Sequence, residues 1–154
     1  MRQKLLRAAL LLALCTGGIQ APAFAQSAPA QPQEGAFVEH HVALQISDNT
    51  PEKQKLMMNV ANNILKTYGP DKVAIEVVAF GPGLELLNDT NPNLAAIESL
   101  AAQGVRFDAC GNTMETYQRN NGKPFPLNKI ARVVPAGVPQ LIELSEHGFV
   151  VIRP

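Results

Sequence analysis

The chain has 154 residues, 46% of them hydrophobic, and its 13 basic and 13 acidic side chains cancel to a formal net charge of zero. Such a balance supplies no field to draw nucleic acid or an anionic lipid surface as a partner. The length suits one domain with one core once the ends are set aside.

Residues 1–25 read as a secretory signal. Arg2, Lys4 and Arg7 form a positive start, residues 8–14 a short apolar run, and Ala23-Phe24-Ala25 the small-x-small pattern that signal peptidase accepts. The run is much shorter than the roughly 20 residues that span a bilayer, so no membrane attachment is expected after cleavage. Cys15 raises the alternative of a lipoprotein, but Leu14 stands before it where a small side chain is needed. Cleavage after Ala25 leaves 129 residues with 10 basic and 13 acidic side chains, a net charge of −3. A periplasmic protein is expected, and Cys110 becomes its one cysteine. Paired cysteines are the rule in an oxidising compartment. An odd one calls for an intermolecular pair, a reactive thiol or a buried inert one.

Residues 26–38 are rich in Pro, Ala and Gln and read as a disordered leader, which puts the folded domain at 39–154. Within it, short β-branched runs alternate with helical periods, as in βα units on a mainly parallel sheet. Five strands are predicted at residues 41–46 (HVALQI), 73–80 (VAIEVVAF), 105–109 (VRFDA), 131–134 (ARVV) and 149–152 (FVVI). Several are apolar at consecutive positions, as strands covered by helices on both faces must be. Residues 51–68 repeat apolar side chains at helical spacing, with Thr50 as N-cap, Pro51 at the first position and Gly69-Pro70 as the stop. Helices are predicted likewise over 93–103 and 138–147. The stretch from Pro82 to Pro92 is turn-rich, with room for one helical turn at 84–87.

In open α/β sheets the functional crevice lies beyond the carboxyl ends of the strands. The segments there are Ser47-Asp48-Asn49, Gly81-Pro82-Gly83, Cys110-Gly111-Asn112 and Pro135-Ala136-Gly137. Asn49, Gly81, Gly83, Gly111 and Asn112 are the candidate ligand-binding residues, and Cys110 is the candidate nucleophile. A helix is predicted to start at Asn112 or Thr113, with Asn112 and Glu115 as a capping box. A thiol at a helix N-terminus meets unpaired N–H groups and the positive end of the macrodipole, and both favour the thiolate. Asp108 or Glu115 would oppose this if either faced the sulfur. The bland alternative is a small hydrophobe at a strand end, for free cysteines are often buried. A disulfide between the Cys110 residues of two subunits is a third possibility.

Other constellations are weaker. His40 and His41 are adjacent in a strand and point to opposite faces, so a metal site is not expected there. His147 falls in the last turn of a helix, where its charge suits the dipole. Gly81-Pro82-Gly83 lacks the lysine of a phosphate loop. No G-x-S-x-G, C-x-x-C or H-E-x-x-H occurs. No cofactor is expected.

Three passages, VVAFGPGLELL, LAAQGVRFDACGNTM and VPAGVPQLIELSEHGFVVIRP, resemble the DsrE/DsrF-like family, including its YchN-type members, in order and spacing. The resemblance implies a three-layer α/β/α domain that assembles into trimers or hexamers. It also implies that Cys110 acts as nucleophile and persulfide carrier in a sulfur relay, a sulfurtransferase-like role that needs a donor and an acceptor protein. An exported member would use a donor and acceptor other than the cytoplasmic ones. The alternative within the same fold is a non-catalytic binding or assembly module with an inert Cys110.

Overall fold

The computed structural model describes residues 38–154. The expected signal and nearly all of the expected leader lie outside the described residues.

Five strands form one parallel sheet: β1 (His40–Ile46), β2 (Val73–Ala79), β3 (Arg106–Cys110), β4 (Arg132–Val134) and β5 (Val150–Ile152), in the order β4-β3-β2-β1-β5. The predicted strands are all present, with ends shifted by a residue. One shift matters: β3 runs on through Cys110, so the cysteine is the last residue of the strand itself.

Helix α1 (Pro51–Tyr68) follows β1. Thr50 caps it as expected, its hydroxyl accepting the Lys53 N–H at 3.3 Å. Its apolar stripe, with Met57, Met58, Ala61 and Leu65 buried, lies on one face of the sheet. After β2 the turn-rich stretch becomes a 3-10 helix over Gly81–Leu87, longer than the single turn expected, because Leu84, Leu86 and Leu87 all find core positions. Helix α2 (Leu94–Ala102) adds Ile97 and Leu100 to the same core, and helix α3 (Gly111–Asn121) leans on it through Met114 and Tyr117.

Helix α4 (Gly137–Glu146) takes the opposite face, where Leu141 and Leu144 pack with Ala43, Val78 and Phe149. The crossovers explain the split. Successive steps from β1 to β4 march one way across the sheet, and the step from β4 to β5 returns to the far side of β1. With right-handed crossovers a reversal of direction moves the connecting helix to the other face. The result is a three-layer α/β/α sandwich with unequal outer layers.

Candidate functional site

The reversal creates a topological switch point. The chain leaves β3 into α3 on one face and leaves the neighbouring β4 into α4 on the other, so the connections diverge at the carboxyl ends of β3 and β4, the place where open α/β sheets commonly take ligands. Cys110 stands there, as the end of β3 and the N-cap of α3 in one residue, with φ −70° and ψ 114°. It is a free thiol and is only 5% exposed.

This junction corrects one expectation. Helix α3 starts at Gly111, so Asn112 lies inside its first turn and is no N-cap, and no side chain caps the helix. No loop separates strand from helix, which leaves no position for a separate capping residue. The backbone N–H of Asn112 instead donates to the Pro135 carbonyl at 3.2 Å, stitching the first turn of α3 to the end of β4. A Cβ at Gly111 would stand 3.1 Å and 3.2 Å from the Val134 and Pro135 carbonyl oxygens, so Gly111 admits this close approach.

The post-strand segments do converge. The Gly81 N–H donates to the Thr113 hydroxyl at 3.0 Å, tying the turn after β2 to α3. Gly83 packs so tightly on the end of β1 that a Cβ would lie 2.4 Å from the Ile46 carbonyl oxygen, and Gly137 packs on the Phe80 ring. Gly81, Gly111 and Asn112 thus share the edge with Cys110. Gly83 is a packing glycine between the 3-10 helix and β1, its space already filled by backbone. Asn49 is exposed in the connection from β1 to α1.

Sequence reasoning missed a buried charged network on the face covered by α4. Glu76 in β2 is 1% exposed and Asp108 in β3 is 0% exposed. Arg132 of β4 lies in register with Asp108 and grips it with Nε on Oδ1 at 2.6 Å and Nη2 on Oδ2 at 3.0 Å, while Nη2 also reaches Glu76. Arg106, in register with Glu76, donates Nε to its Oε2 at 3.0 Å, and Gln140 of α4 approaches Oε1 at 3.4 Å. The signal was present: one glutamate inside VAIEVVAF and one aspartate inside VRFDA, in strands otherwise too apolar to bury an unpaired charge.

Burial, then the hydrogen bond to Glu76, pushes the Asp108 carboxyl up to about 7 against the pull of Arg132. Burial acts the same way on Glu76, but the hydrogen bond to Asp108 and the guanidinium groups of Arg106 and Arg132 outweigh it and hold that carboxyl below its usual range. Two carboxyls with opposite shifts describe a pair that retains one proton. Side chains alternate along a strand, so Arg106, Asp108 and Cys110 share a face. Glu115 is exposed on α3, 4.0 Å from Arg119.

The histidines serve packing and capping. His40 stacks on Tyr68 with centroids 4.1 Å apart, His41 meets Phe149 edge-on at 5.1 Å, and His147 Nδ1 lies 2.7 Å from the Glu143 carbonyl. Among the described residues no group of three or more His, Cys, Asp or Glu side chains is placed to hold a metal ion.

The sequence profile of the DsrE/DsrF-like family matches residues 40–154. The fold is similar to the solved structure of MTH1491 from Methanobacterium thermoautotrophicum, a protein of unknown function, with a TM-score of 0.67 and 27% identity over 75% of this chain and 99% of that one. No curated protein sequence matches.

Proposed function

Because the chain belongs to the DsrE/DsrF-like family, whose membership points to a role in sulfur relay, we propose that it is an exported sulfur carrier in which Cys110 holds a sulfane sulfur as a persulfide. What supports this most is the position of Cys110 at the β3/β4 switch point, where α/β sheets present their reactive groups. The Cys110 thiolate attacks the outer sulfur of a donor such as thiosulfate. The donor S–S bond breaks, its electron pair leaves with sulfite, and the protein retains Cys–S–S⁻. A second thiolate then attacks that outer sulfur and returns Cys110 as thiolate. On this reading the donor would rest on the turns at Gly81, Gly111 and Asn112, which hydrogen bonds tie together beside Cys110. Incubation with thiosulfate or polysulfide followed by cyanolysis should release thiocyanate from wild type and none from Cys110→Ser. Equal release from both would remove Cys110 from the chemistry.

The burial of Cys110 favours a second reading, an assembly or binding module with an inert thiol. It predicts labelling by a thiol reagent only after denaturation. We propose further that the chain forms a homo-oligomer. Val133 on β4, Val138 and Ile142 on α4, and Val150, Val151 and Ile152 on β5 expose apolar surface that a subunit contact would cover. Light scattering should then give a mass several times that of the monomer.

A further inference from the structure

Cys110 is 5% exposed, yet a sulfur carrier has to meet both a donor and an acceptor. What covers it follows from strand register. Side chains alternate along β3, so Cys110 faces the same side of the sheet as Arg106 and Asp108, the side that carries α4. Its partner on β4 is Val134, itself buried. On the other flank Ala79 pairs with Ala109, and Phe80 continues extended with φ −148° and ψ 168°, which sets it level with Cys110. The chain leaves β4 at Val134, and three residues later Gly137 already stands on Phe80, where a Cβ would come within 2.9 Å of the ring. Pro135 and Ala136 therefore cross the carboxyl end of β3, from the flank of β4 to that of β2, past Cys110.

From this crossing we infer that residues 135–137 form a strap over Cys110, and that the seat of Gly137 on Phe80 sets the size of molecule that reaches the sulfur. The inference deepens the sulfur-carrier reading and rests on Cys110 being its nucleophile. The two ends of the strap are fastened unequally. At the β4 end Arg132 grips Asp108 with Nε at 2.6 Å and Nη2 at 3.0 Å, the Pro135 carbonyl accepts the Asn112 N–H at 3.2 Å, and Gly111 lies close against the Val134 and Pro135 carbonyls. At the far end the contact is glycine against ring, and no side chain caps α4. Releasing the first end strips buried polar groups of their partners, whereas releasing the second gives up dispersion contacts alone. The first side chain that α4 buries is Leu141, so its opening turn is free to move with the strap. The strap thus hinges near Pro135 and lifts at Gly137. A donor the size of thiosulfate needs a small lift, and the thiolate of an acceptor protein needs a full one.

The test is the rate of labelling of Cys110, read on its own peptide, by N-ethylmaleimide and by a maleimide carrying a long polyethylene glycol chain, in the native full chain and in urea. The ratio of small to large reagent in native wild type should exceed the ratio in urea by more than about 10-fold. Gly137→Ala sets a methyl against the Phe80 ring and holds the strap off its seat, so it should lower the native ratio about 10-fold, the size expected of one overpacked methyl. Met58→Ala weakens the core under α1 without touching the strap and should keep the wild-type ratio. A native wild-type ratio equal to that in urea means that Cys110 is reached only by unfolding and overturns the inference. So does a Gly137→Ala ratio equal to wild type, or an equal fall in Met58→Ala. If Gly137→Ala does not fold, the wild-type comparison alone decides. Maleimides need no sulfur donor, so size selection without persulfide formation would sink the sulfur-carrier reading alone, and persulfide formation without size selection would sink the strap alone.

Discussion

Helices α1 and α3 both follow a strand of the same sheet and lie on the same face, yet they are held very differently. Helix α1 has five buried side chains over 18 residues and follows β1, which is paired with β2 through seven registered residues. Helix α3 has none buried over 11 residues and follows β3, whose outer neighbour β4 contributes only three. Burial of apolar area is the main stabilising term, so the β1–β2–α1 region carries the fold. Helix α3 and strand β4 contribute little packing of their own, whereas Phe107 and Ala109 of β3 belong to the core. The charged network joins the two, with Glu76 on β2 of the first region and Arg106, Asp108 and Arg132 on β3 and β4 of the second.

The contrast can be broken most forcefully at its stable end. Leu44→Ala, at a fully buried site facing α1, should cost about 3–4 kcal/mol in denaturant unfolding. A loss under 1 kcal/mol would mean that the core lies elsewhere.

The network gives a smaller effect with a definite sign. Asp108 binds its proton more tightly folded, at about 7, than at its ordinary 3.8, so the stability it contributes is full below pH 3.8 and is lost as pH rises through about 7. Glu76 acts in the opposite sense: its contribution is present above its ordinary 4.5 and is lost as pH falls through its lowered folded value. Thermal melts should therefore show stability declining from about pH 4.5 to about pH 7, and Asp108→Asn should flatten that decline. A stability that rises over the same interval would refute the pairing.

The smallest effect belongs to α3. Met114→Ala, half-buried against the core, should cost about 1 kcal/mol or less, while hydrogen exchange in α3 should be faster than in α1. Equal protection of the two helices would erase the comparison.

The same division governs how much could be read from sequence. Residues 51–68 announced α1 fully, because a capped amphipathic helix on a parallel sheet leaves its period in the side chains. The strands were equally plain where both faces are covered. At the other end Cys110 ends the strand and occupies the N-cap position in one residue, so the pattern at Asn112 and Glu115 imitated a capping box that the backbone does not use. The network escaped for another reason. Glu76, Arg106, Asp108 and Arg132 come together across three strands, and a single sequence shows each only as an isolated charge. The positions of Gly81, Gly111 and Asn112 at strand ends followed from the rule, and the close packing of Gly83 on Ile46 did not. What made β3/β4 the switch point was strand order, which no local pattern encodes.

The central claim is that the β3/β4 end of the sheet holds a working nucleophile. It is tested most directly by the intact mass of the native protein after exposure to thiosulfate or polysulfide. Wild type should gain the mass of one sulfur atom, reversed by a thiol reductant, and Cys110→Ser should gain none. A wild-type protein that stays unmodified in the native state, or a variant that gains the same mass, would contradict the claim.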